Sequence, residues 1–130
     1  MNILVGYDGS KVAADALELA KKHAKAFDAK VFIVTSRVGG PEVLREDFEK
    51  AEKDLNFAKS GFKKEGLPCE AHLSVRGLEA GEDLVQYAEE NQIDQIIIGI
   101  RRRSRVQKLV FGSNAQYVIL EAPCPVLSVK

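Results

Sequence analysis

In the stretch Gln95-Ile96-Ile97-Ile98-Gly99, three β-branched residues follow one another with no polar residue between them. Side chains on a strand point to opposite faces in turn, so such a run needs cover on both sides. This is the pattern of a parallel sheet enclosed by helices. Apolar runs alternate with helix-period segments along the chain, at residues 3–5, 13–27, 31–34, 44–62, 71–75, 84–88, 96–98, 115–120 and 126–129. The succession is strand then helix, repeated and ending on a strand. It predicts an α/β protein, a three-layer α/β/α domain with five strands.

The helical segments carry their own periodicity. Ala13, Leu17, Ala20, Ala24 and Phe27 recur at spacings of four and three, with Lys21, Lys22 and Lys25 on other faces, as an amphipathic helix requires. Ser10 stands where an N-cap belongs. The second and longest helix repeats the pattern with Leu44, Phe48, Ala51, Leu55, Ala58 and Phe62, between the breakers Gly39-Gly40-Pro41 and Gly66-Leu67-Pro68.

A chain of 130 residues fits one domain, residues 1–130, able to bury about two thirds of the surface its unfolded form exposes. Lys plus Arg and Asp plus Glu both total 19, so no global field draws the protein to nucleic acid or an anionic membrane. The longest apolar run falls far short of a membrane span. Cys69 and Cys124 have no metal-ligand or redox-motif spacing and read as reduced, half-buried thiols. The chain enters a strand at Asn2-Ile3-Leu4-Val5 without the basic and apolar regions of a secretory signal, so a cytoplasmic protein is expected.

Chemistry is expected at two strand ends. After the first strand comes Gly6-Tyr7-Asp8-Gly9-Ser10; after the fourth comes Gly99, a long basic connection, and Gly112-Ser113 heading another helix. Ligands of open α/β sheets sit outside the carboxyl ends of the strands, where connections depart to opposite faces. Glycines at both ends of the connection and the free N–H groups of a helix start suit an anion. Asp8 is placed to accept from ribose hydroxyls or a base amine, or to face a hydrated cation; alternatively Asp8 and Ser10 only organise the turn and cap the helix. Five cations, Arg101, Arg102, Arg103, Arg105 and Lys108, occupy the connection. Most of these long cationic side chains are read as solvated; no aromatic is interleaved with them before Val110, so contact of one or two with phosphate ranks above nucleic-acid binding. His23 and His72 belong to no recognisable triad, and no metal-ligand spacing or Walker lysine is present. No catalytic or metal-ligating residue is assigned.

Taken together, Ile3-Leu4-Val5-Gly6-Tyr7-Asp8-Gly9-Ser10, Asp94-Gln95-Ile96-Ile97-Ile98-Gly99, Gly112-Ser113 and Ala122-Pro123-Cys124-Pro125-Val126-Leu127 resemble the universal stress protein family over nearly the whole chain. The resemblance implies a parallel sheet of order 3-2-1-4-5, the adenine nucleotide alpha hydrolase-like arrangement, and a homodimer pairing the last strands, from Pro125 to Val129. Nucleotide-binding members carry Gly, two residues, Gly, nine residues, then Gly and Ser or Thr. Gly99, Gly112 and Ser113 keep that spacing, and Arg102 replaces the middle glycine. By similarity, Asp8 would approach the ribose or adenine, with Tyr7 also among the nucleotide-binding residues, the backbone at Ser36 would read the adenine edge, and Gly112, Ser113 and Asn114 would hold phosphates. Arg102 either grips a phosphate with its donor fork or crowds it out. The expected function is ATP or AMP binding by a stress-response sensor or regulator. At most, ATP hydrolysis would be slow, and Mg would enter only with a triphosphate. The alternative is a dimeric interaction module of the same fold that binds no nucleotide.

Overall fold

Ile3, Leu4 and Val5 are all fully buried, yet they do not share a core. Ile3 and Val5 pack with Ala16, Leu17, Ala20, Leu55 and Phe62, whereas Leu4 packs with Leu84, Val85, Ala88 and Val118. Ile97 falls in the first cluster, and Ile96 and Ile98 fall in the second. Both faces of the central strands are therefore covered, which is why their sequences show no polar alternation.

The computed structural model describes residues 1–40, 44–100 and 112–130. Its elements are β1 (Asn2–Gly6), α1 (Lys11–Phe27), β2 (Lys30–Arg37), α2 (Arg45–Lys64), β3 (Cys69–Val75), α3 (Ala80–Glu90), β4 (Gln95–Gly99), α4 (Ser113–Glu121) and β5 (Val126–Val129). All neighbouring strands pair in parallel, in the order β3-β2-β1-β4-β5. Helices α1 and α2 supply one layer, α3 and α4 the other. The chain builds outward from β1 to β3, then returns to lay β4 on the other side of β1. The point of reversal is thus between β1 and β4.

Local chemistry accounts for most boundaries. Ser10 Oγ accepts from Ala13 N at 3.2 Å and caps α1, while Asp28 closes it in the left-handed region at φ 51°. Removing that cap in Ser10→Ala is expected to cost about 1 kcal/mol, lowering the melting temperature by roughly 4 °C. A thermal unfolding curve unchanged by the substitution would show that the cap contributes nothing.

Two expected core residues are exposed. Phe27 is 56% exposed because Ala24 is the last residue of α1 to be buried, and Leu44 is 63% exposed because it precedes α2 as its N-cap. His23 has a structural partner instead of a catalytic one: its Nδ1 lies 2.9 Å from Gln95 Oε1, tying α1 to β4.

Candidate functional site

Parallel pairing brings the carboxyl ends of β1, β2 and β4 to one edge of the sheet, and the chain just past β1 is locked there. Tyr7 N donates to Val34 O at 2.9 Å, and the buried Thr35 hydroxyl donates to Tyr7 O at 2.7 Å. Asp8 Oδ1 then accepts from Ser10 N at 3.0 Å, across a turn in which Gly9 adopts φ +81°. Asp8 therefore has the turn-forming role, and it also lines all three cavities found at this edge.

The first cavity, of about 200 Å³, lies over the reversal point. Its walls are largely apolar, with Gly6, Val34, Leu84, Ile98 and Val118, and Ser36, Arg37 and Asn114 add polar groups. The second, of about 250 Å³, is lined by Val12, Gly99, Ile100, Gly112, Ser113 and Asn114. The two share Asp8, Gly99, Asn114 and Ala115, so they form one crevice with an apolar end and an end at the start of α4. Helix starts present unpaired N–H groups and favour anions. Of the residues expected from sequence, Tyr7, Asp8, Ser36, Gly99 and Asn114 meet in the first cavity, and Asp8, Gly99, Gly112, Ser113 and Asn114 in the second. Arg102 and the other cations of the connection, at residues 101–111, lie outside the described residues.

Several of these residues carry structural duties that the sequence did not reveal. Asn114 Oδ1 accepts from Gly81 N at 2.9 Å and so caps α3 from a neighbouring helix. A Cβ on Gly81 would lie 2.7 Å from Asn114 O, so the two helices touch through this glycine. Gly99 is required for space: a Cβ there would meet Val12 Cγ1 at 2.8 Å and the Val12 backbone at 2.9 Å.

Helix α3 supplies the residues that sequence reasoning missed, Ala80 and Leu84 on the crevice wall and Asp83 behind it. Asp83 is fully buried. Ser36 Oγ donates to its Oδ2 at 2.5 Å, and Arg76 reaches its Oδ1 through Nε at 2.8 Å and Nη2 at 2.6 Å. Burial opposes the charge, but hydrogen bonds from Ser36, Ser74 and Arg76 outweigh it and hold the carboxyl below its ordinary 3.8. The one available signal was an aspartate directly beside Leu84, Val85 and Ala88 on the buried face of a helix.

Asp8 is also not the only carboxylate at this edge. A third cavity, of about 350 Å³, adjoins the crevice across Tyr7 and Arg37 and is lined by Asp8, Asp47, Lys50 and Asp54. Burial, followed by the charges of Asp54 and Asp8, raises the Tyr7 hydroxyl above its usual range. Among the described residues, no group of His, Cys, Asp and Glu has the arrangement of a metal site.

The five-stranded parallel sheet of order 3-2-1-4-5, with helices on both sides and a crevice at its reversal point, places the protein in the adenine nucleotide alpha hydrolase-like class of α/β folds. The chain belongs to the universal stress protein family, whose model matches residues 1–130. It is 36% identical to a universal stress protein of Thermus aquaticus, over 98% of this chain and 97% of that one. The structure of the universal stress protein from Archaeoglobus fulgidus in complex with dAMP superposes with a TM-score of 0.85 at 38% identity, covering 100% of this chain and 98% of that one. A universal stress protein in complex with cAMP superposes at 0.82 with 25% identity, covering 100% and 97% of the two chains.

Proposed function

We propose that this protein binds an adenine nucleotide, AMP or ATP, in the crevice between β1 and β4, and acts as a sensor or regulator in a stress response. The observation that carries the reading is the division of the crevice: an apolar end for a planar base, Asp8 at the junction for ribose hydroxyls, and the α4 start with Gly112, Ser113 and Asn114 for phosphates. The dAMP held by the Archaeoglobus fulgidus relative supports it. Mg enters only with a triphosphate, bridging its oxygens. Hydrolysis is slow at most, because Asp8 is engaged with Ser10 N and makes a poor general base.

The active form is a homodimer paired through β5, which stands at an edge of the sheet with Leu120 of the preceding helix 78% exposed. Two free thiols, with burial pushing that of Cys69 up to about 11, suit the reducing cytoplasm. No helix among the described residues is long and apolar enough to cross a membrane.

Arg102 supports a second reading, an interaction module of the same fold whose phosphate end is blocked. Equilibrium binding of AMP and ATP to the wild type and to Arg102→Gly separates the two. On the nucleotide reading the wild type binds, and the glycine variant loses about tenfold in affinity with one charge-assisted contact. Binding seen only in Arg102→Gly would establish the blocked module.

A further inference from the structure

Ser36 stands one residue before the end of β2, in register with Ser74 of β3, at the apolar end of the crevice, and its side chain is held from outside the sheet ladder. Its hydroxyl donates to a carboxylate 47 residues away in sequence, at 2.5 Å. That carboxylate, Asp83, is in turn fixed from a third direction by Arg76, which follows β3 and whose Nη1 also reaches Glu90 at 2.7 Å. Three elements therefore converge on one buried acceptor, and Ser36 is the member that lines the ligand space.

We propose that Asp83 is a positioning residue for base selectivity: by holding Ser36 it fixes the β2 backbone that distinguishes a 6-aminopurine from a 6-oxopurine. The proposal rests on the nucleotide reading above. The chemistry of discrimination is simple. A backbone carbonyl accepts from the 6-amino group of adenine and meets the 6-oxo group of hypoxanthine as acceptor against acceptor. Discrimination of this kind depends on the carbonyl being held in place, because a peptide group free to flip would offer its N–H to the oxo group instead. Arg37 reinforces the fixed orientation, since its Nη1 donates to Ser36 O at 3.1 Å. A carbonyl oxygen has two lone pairs, so one remains for a ligand. The first turn of α3 is held in its own right, through the bond from Gly81 N to Asn114 Oδ1. Asp83 is thereby anchored independently of the strand that it positions.

The test measures affinities for AMP, IMP and ribose 5-phosphate in the wild type, Ser36→Ala, Asp83→Asn and the double variant. The wild type should prefer AMP over IMP by about tenfold, the value of one well-placed hydrogen bond. In both single variants the preference should fall to near unity, while competition by ribose 5-phosphate stays unchanged. The double variant should lose no more than either single one, because Asp83 acts through Ser36. A destabilised fold would weaken all three ligands together and leave the ratio intact. Ser36→Ala keeps the Arg76–Asp83 pair, so it decides the matter even where Asp83→Asn fails to fold. A wild-type preference that survives Ser36→Ala overturns the positioning role alone. A wild type that binds neither AMP nor IMP overturns the nucleotide reading, and the positioning role with it.

Discussion

Asp83→Ala is expected to lower the free energy of unfolding at pH 7 by about 3 kcal/mol or more, the loss that follows when one member of a buried ion pair is removed. The Ser36 and Ser74 hydroxyls lose their acceptor, and Arg76 loses its buried partner. The Arg76 side chain is 30% exposed and keeps Glu90 at 2.7 Å, so the guanidinium is not stranded. That places the loss at the low end of the roughly 3–5 kcal/mol range for broken buried pairs. The effect also carries a pH signature. Because the native carboxyl titrates below its ordinary 3.8, the unfolded chain takes up a proton first as pH falls. The contribution of the charge is therefore complete above that value and disappears as pH drops through the native pKa. Urea unfolding of wild type and variant at pH 7 and near pH 3 should show a gap that narrows on acidification. An equal gap at both values would mean that the ionised form contributes nothing.

Gly99→Val is expected to cost about 3 kcal/mol, near the upper end for overpacking, and to lower the melting temperature by roughly 10 °C. The strain arises because the obstacle includes backbone: the carbonyl carbon and oxygen of Val12 both lie 2.9 Å from the position of a Cβ. These atoms belong to the first turn of α1, which cannot withdraw without disturbing the helix capped by Ser10. Combining the change with Val12→Ala removes only the side-chain contact and should recover a minor part of the loss. Full recovery in the double variant would show that the backbone had room to spare. The same approach of α1 narrows the crevice, so the variant should also bind AMP more weakly.

The layered architecture was legible because burial on both faces leaves a direct mark on composition. Ile96, Ile97 and Ile98 could be read as a doubly covered strand, and Ala13, Leu17, Ala20 and Ala24 as one buried helix face, from spacing alone. Element ends were less legible. The apolar run at residues 31–34 marked only the middle of β2, which continues through Thr35, Ser36 and Arg37. Polar residues there looked like loop, yet Thr35 is buried because its hydroxyl finds Tyr7 O. Likewise the run at residues 84–88 marked the apolar centre of α3, whose first turn begins at Ala80. The turn at Asp8 and the cap at Ser10 were open alternatives to ligand contact, and hydrogen-bond geometry establishes both.

Ordered repetition along the chain was enough to specify alternating strands and helices, the cap of the first helix, and the pairing of Gly99 with Gly112-Ser113 at two ends of one connection. These are local or periodic properties, and each is written within a few residues. The relation between Ser36, Asp83 and Arg76, and that between Asn114 and Gly81, join residues brought together only when α3 packs beside β2 and α4. Periodicity records which face of a helix is buried, and it carries no information about which distant residue that face meets. The reason for Gly99 belongs to the same kind: a glycine in sequence suggests room for a ligand, and the packed chain shows the room taken by the backbone of Val12.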